Sequence, residues 1–263
     1  MPRSDSLAEH KAKVAVALIL TFVSALVDVA GFLGVFRLFT AHLSGTTVHL
    51  GRSIVLGRAS DVIAASSIVL AFFLGSVAGR AIIEAGARRR FRRIASVTLA
   101  IEAAMIAFVA WANLVYGHAS GDLRSGALPH VYAYLAMLAW AMGMQTATLT
   151  GIGPLTVHTT FVTGMVNKLA QLVSRILFRA FDFARGRGNT PQKHAQHRAE
   201  SEQAIFVFSI WACYVLGAAG GTAVYMKWGM RTLFVASAGL IIGIVTDLFT
   251  PLSVEEEREQ SER

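Results

Sequence analysis

The chain has 263 residues, of which 54% are hydrophobic and only 15% charged, with a mean hydropathy of +0.55. Soluble domains carry roughly 25% charged residues, so this composition excludes a conventional soluble globular enzyme; with about 20 apolar residues per bilayer span there is room for roughly six to eight spans. The net charge of +8 falls between long uncharged stretches, where basic residues mark topology and meet anionic lipid headgroups; no nucleic-acid partner is expected.

In chain order, a cytoplasmic tail (1–13) containing Arg3, Lys11 and Lys13 leads into the apolar run 14–36. That run is too long for a signal-peptide core, contains Asp28 and lacks a small-residue cleavage site, so it predicts the first span. Further spans are predicted at 62–83, 94–116, 131–150, 204–226 and 232–249. Two segments, 39–57 and 156–178, are apolar enough to enter the membrane but are rich in His, Ser, Thr, Gly and Asn; interfacial, re-entrant and full-span placements all fit them. The single cysteine, Cys213, excludes an internal disulfide, a cysteine zinc site and an iron–sulfur cluster.

Charge parity separates these placements. The cluster Arg88, Arg89, Arg90, Arg92 and Arg93 and the stretch from Arg175 to Arg198 both belong on the cytoplasmic face. They share a face if neither polar segment crosses. They also share one if only 39–57 crosses, but that choice sends Lys11 and Lys13 outside. The expectation is therefore an all-α, polytopic transmembrane helix bundle of six full spans plus two polar re-entrant or interfacial segments, with both termini cytoplasmic in a bacterial inner (plasma) membrane.

The halves are similar to each other. Leu74-Gly75-Ser76-Val77-Ala78-Gly79 aligns with Leu216-Gly217-Ala218-Ala219-Gly220-Gly221, and each is preceded by a polar box, Phe39 to Thr47 in the first half and Val157 to Gly164 in the second. This divides the chain into a first repeat (14–116), an external loop (117–130), a second repeat (131–252) with a basic cytoplasmic linker at 180–203, and a polar tail (253–263). Three spans per half make the second repeat inverted, a recurring plan of secondary transporters. The pairs Gly75/Gly79 and Gly217/Gly221 form small-residue faces for close helix packing.

The order of these features resembles the YoaK family of bacterial inner-membrane proteins, a domain of unknown function. The resemblance rests on Asp28 and Gly31 in the first span, the box Phe39 to Gly45, the Gly75/Gly79 span, the segment Gly143-Met144-Gln145, and the box containing Thr160, Thr163 and Gly164. It covers about Val16 to Phe249 and implies a multipass membrane protein while leaving its activity open. The chain has Ser44-Gly45-Thr46 where the family has Thr-Gly-Asn, and so lacks that Asn amide.

An ionisable group inside a span is a functional candidate by default, which singles out Asp28 and Glu102; Asp247 lies near a helix end, where it can snorkel to the interface. His42 and His49, seven residues apart, share a helical face, and His158 sits in the other box, an arrangement that suits a polar or proton path better than a metal site. Ser44, Thr46, Gln145, Thr163 and Asn167 add neutral donors and acceptors for a solute or proton pathway. No catalytic motif, cofactor site or metal site is expected. The functional expectation is a transporter of a small solute or ion coupled to protons through Asp28. Its alternatives are a membrane scaffold or regulatory protein, and an intramembrane enzyme using His42, Ser44 or Asp28. Homo-oligomers fit all three.

Overall fold

The structure, a computed structural model, describes residues 4–34, 37–89, 91, 93–116, 129–148, 151–152, 155–156, 162–185 and 190–250. The described residues form helices α1 (Ser4–Gly34), α2 (Leu43–Val55), α3 (Ala59–Arg88), α4 (Ile94–Tyr116), α5 (Pro129–Thr148), α6 (Val162–Ala184), α7 (Pro191–Trp228) and α8 (Thr232–Phe249). Two-residue strands β1 (Gly151–Ile152) and β2 (Leu155–Thr156) pair antiparallel before α6, and a 3-10 turn, Gly229–Arg231, joins α7 to α8. In hydrocarbon every backbone N–H and C=O must be satisfied within its own segment, which makes helix the outcome for these apolar runs whatever their β-branched content.

By length and composition, four segments among the described residues can cross a membrane: His10–Gly34, Ala59–Arg88, Ile94–Tyr116, and the 59-residue stretch Pro191–Phe249 that holds α7, the turn and α8. The chain is a membrane protein. Its surface fits that solvent, because Leu70, Phe73, Leu216, Ile241 and Phe249 are exposed while Asp28, Glu102, Gln145 and Asp247 are buried.

The stretch expected as a linker at 180–203 is largely helical. α6 continues to Ala184, and α7 begins at Pro191, whose fixed φ and missing N–H suit a first helical position. At 38 residues, α7 is about 57 Å long at about 1.5 Å per residue, nearly twice a hydrocarbon core of about 30 Å. Its polar first turns pack on α6: Arg179 meets Glu200 at 2.9 Å, and Phe183 stacks on His194 with ring centroids 4.6 Å apart. Gly229, at φ 57°, ends the helix in a conformation that only glycine adopts without strain.

Helix pairing is specific. α3 packs on α5, α1 on α7, α4 on α8, α6 on α7 and α2 on α3, with α1 against α8 and α4 against α5. All four predicted packing glycines are buried at such crossings. A Cβ at Gly75 would overlap the Trp140 carbonyl, and one at Gly79 would lie 3.0 Å from the Met144 Cα. At Gly217 it would meet the Phe22 carbonyl oxygen at 2.7 Å, and at Gly221 the Leu26 side chain at 2.9 Å. Contacts thus advance in the same sense along α3 and α5, and along α1 and α7. On α4 and α8 they run oppositely, with Ala103 beside Ser237, Leu99 beside Gly243 and Ser96 beside Asp247.

Candidate functional site

Asp28 is 1% exposed and lies near the C-terminal end of α1. Beyond the helix the chain reverses at Arg37, which takes a left-handed φ of 54°, and Leu38 to His42 run back along α1. Two contacts fix this return: Phe39 stacks on Phe32 with centroids 4.7 Å apart, and Thr40 lies against Gly31, where a Cβ would come within 2.9 Å of the Thr40 methyl. Gly31 therefore admits the returning segment.

The returning segment delivers its donors to one carboxylate. Asp28 Oδ1 accepts from the backbone N–H of Thr40 (2.8 Å), the Thr40 hydroxyl (3.1 Å) and the backbone N–H of Ala41 (2.7 Å). Oδ2 contacts His42 Nδ1 at 2.6 Å and accepts from the Tyr214 hydroxyl of α7 at 2.9 Å. His42 Nδ1 and the Tyr214 oxygen are themselves 3.1 Å apart. Five donors converge on one carboxylate, and hydrogen bonds of this kind are what offset the cost of burying it. For His42 the hydrogen bond with Asp28 raises the pKa above its ordinary value, burial opposes that, and the Asp28 charge adds to the rise.

The other expected residues are dispersed. His42 precedes α2 and is not helical, so it does not share a helical face with His49, which lies 3.8 Å from Asp61. Ser44 is exposed on α2 and does not bond His42; Thr46 is buried and donates to the Phe39 carbonyl at 2.8 Å, closing the box onto itself. Thr163 and Asn167 are exposed on α6. His158 lies outside the described residues. Gln145 is fully buried on α5 and donates to the Leu20 carbonyl of α1 at 2.9 Å. Glu102 is fully buried on α4, and neither of its carboxyl oxygens has a hydrogen-bond partner. Asp247 does not snorkel: it is fully buried and accepts from the Ser96 backbone N–H at 3.0 Å and from the Ser96 hydroxyl. It thereby caps the first turn of α4, whose free N–H groups carry partial positive charge.

Tyr214 was not among the expected residues. Its sequence signal is weak: it is one of two tyrosines in the span, with Tyr225, and lies three residues before Gly217. Among the described residues no three metal-ligating side chains cluster. A groove between α1, α7 and α8 is lined by apolar side chains including Leu18, Phe22, Cys213 and Ile242, and none of the polar candidates opens into it.

Residues 16–246 match a family described as "Protein of unknown function (DUF1275)". The chain belongs to this family. It is the YoaK-like domain that the order of boxes and glycines pointed to, and the match spans both halves of the molecule. No curated protein and no solved structure matches the chain.

Proposed function

We propose that the protein is a carrier for a small solute or ion, built from two inverted halves whose polar helices α2 and α6 enter the membrane without crossing it. The observation that carries this reading is the Asp28 cluster, where a polar segment folds back beside α1 and is tied to both α1 and α7. Irregular backbone at membrane depth is tolerated where it is buried in protein or lines a cavity, and it marks substrate and coupling sites in transporters.

Helix directions support the six-span, inverted arrangement. Successive crossings alternate in direction, so α1 and α7 run the same way, α3 and α5 run the same way, and α4 opposes α8 only if neither α2 nor α6 crosses. The pairing also maps onto itself when α1, α2, α3 and α4 are exchanged with α5, α6, α7 and α8: α3 on α5 becomes α7 on α1, and α2 on α3 becomes α6 on α7. Burial follows the same rule, with Thr46 and Ser53 of α2 matched by Met165 and Leu172 of α6. Six spans with cytoplasmic termini put the basic ends of α3 and α6 at the inner leaflet, next to anionic headgroups.

A second reading is favoured by one observation. Asp28 is fully satisfied by its five donors, as a structural latch in a scaffold or regulatory protein would be. The two separate in liposomes carrying purified protein and a lumenal pH dye, challenged with small amines, carboxylates and inorganic ions. A carrier gives solute-dependent proton movement in wild type that is lost in Asp28→Asn and weakened in Tyr214→Phe. Identical traces for wild type, Asp28→Asn and empty liposomes across the panel would leave the latch as the function of the cluster.

A further inference from the structure

Glu102 has no role in the Asp28 cluster, and packing does not account for it. It is fully buried, and both carboxyl oxygens lack a partner. On the proposed repeat, α4 and α8 correspond with matched burial: Ile94, Ala95, Thr98, Leu99 and Glu102 recur at identical spacing as Thr232, Leu233, Ala236, Ser237 and Leu240. The counterpart of Glu102 is thus Leu240, also fully buried. The fold needs only an apolar side chain of that size at this place in the bundle, and one half has put an acid there.

A buried carboxylate without donors is strongly disfavoured, so its charge has to be cancelled by a bound cation. A metal ion needs several further oxygen ligands, and the Glu102 oxygens have no polar partner. The proton alone needs none. Polar groups lie on both sides of it along α4 and α8. Thr98 lies one turn away on the same face of α4 and accepts from the Thr148 hydroxyl of α5 at 3.1 Å. Ser96, two residues earlier, bonds Asp247 near the end of α8, where Phe249 is exposed. Ser237 adds a hydroxyl on the other side, donating to the Ala103 carbonyl at 3.3 Å. α5 also carries His130; among the described side chains, the titratable and charged groups on the elements packed against α4 are Asp247, Arg231, Tyr132, Tyr134, Asp61, Arg80, Glu84 and Arg88, and none of them bonds Glu102.

We propose that Glu102 is a proton-binding site at the contact of α4 with α5 and α8, with the Thr98–Thr148 hydroxyl pair, one turn away on the same face of α4, as its nearest proton relay. The carboxylate takes one proton to become the neutral acid and returns it when the helices part. The site deepens the carrier reading by naming its coupling ion, yet it is measurable without any solute.

Infrared difference spectra of the protein in nanodiscs, wild type minus Glu102→Gln, should show the carbonyl band of a protonated carboxyl at neutral pH. In deuterated buffer that band should shift, and Thr98→Val, which keeps the shape and removes the hydroxyl, should slow the shift several-fold. Glu102→Leu should match wild type in thermal stability, as Leu240 does its work in the other half. Absence of the band at every pH from about 5 to 9, the usual range of physiological titrations, or a marked loss of stability in Glu102→Leu, would overturn the proposal. A solute panel that gives no transport while the band is present and exchanges would remove the carrier reading and leave the proton site standing.

Discussion

Tyr214 donates its hydroxyl to Asp28 at 2.9 Å across 186 residues of sequence, joining the helix that opens the first half to one that belongs to the second. Tyr214 is the one of the five donors outside residues 40–42, so its hydroxyl ties α7 to the carboxylate that holds the returning segment.

Tyr214→Phe should therefore uncouple the two. The substitution keeps the ring and removes one hydrogen bond to a charged group, which costs about 1.5–3 kcal/mol. Asp28→Asn should cost more, since an amide turns one acceptor oxygen into a donor facing His42 and Tyr214. Thermal unfolding in detergent should rank the proteins wild type, Tyr214→Phe, Asp28→Asn in falling stability; equal midpoints for the first two would show that the hydroxyl bond carries no load.

The His42 contact has a defined pH dependence. Its folded pKa lies above the ordinary value, with the Asp28 hydrogen bond as the largest cause. The extra stability is fully present below the unfolded value of about 6.5 and disappears as pH rises through the folded pKa. The stability gap between wild type and His42→Gln should be wide at pH 6 and narrow on the alkaline side. A gap that widens with pH would contradict the pairing.

Adjacent glycines on α7 provide a paired test of packing. A Cβ at Gly220 meets nothing within 4 Å, whereas one at Gly221 falls on Leu26. Gly220→Ala should stay within about 0.5 kcal/mol of wild type, while Gly221→Leu should lose about 1–3 kcal/mol by overpacking. Gly75→Leu, against the Trp140 backbone, should be at least as harmful as Gly221→Leu. Thermostability of Gly75→Leu equal to wild type would mean that α3 and α5 can separate without cost.

Asp247 should act through the start of α4. Asp247→Ala removes the acceptor for the Ser96 backbone N–H, and losing such a cap costs about 0.5–2 kcal/mol. Hydrogen exchange at Ser96 and its neighbours should speed up in this variant and be largely restored in Asp247→Asn. Unchanged exchange in Asp247→Ala would mean that water replaces the cap.

The apolar helices and packing glycines were legible because both follow one-dimensional rules: apolar run length, and small residues four apart on a helix. Asp28 stood out for the same reason, as a charge in an apolar run. Its partners could not be read that way. Two of the five donors are backbone N–H groups, and their aim depends on the reversal at Arg37, a residue with no special sequence signal for positive φ. Tyr214 joins through a helix crossing that only the fold creates. His42 and His49 misled because the seven-residue spacing assumes a helix through both, while the helix starts at Leu43.

The reversal after α1 bears on how the protein is made. Four of the five bonds to Asp28 come from Thr40, Ala41 and His42, all synthesised within moments of the carboxylate itself. At about 5–20 residues per second, Tyr214 follows on the order of ten seconds or more later. During that interval the first helix and its returning segment already hold every partner of the carboxylate except the Tyr214 hydroxyl, so this corner of the fold is largely self-contained before α7 exists.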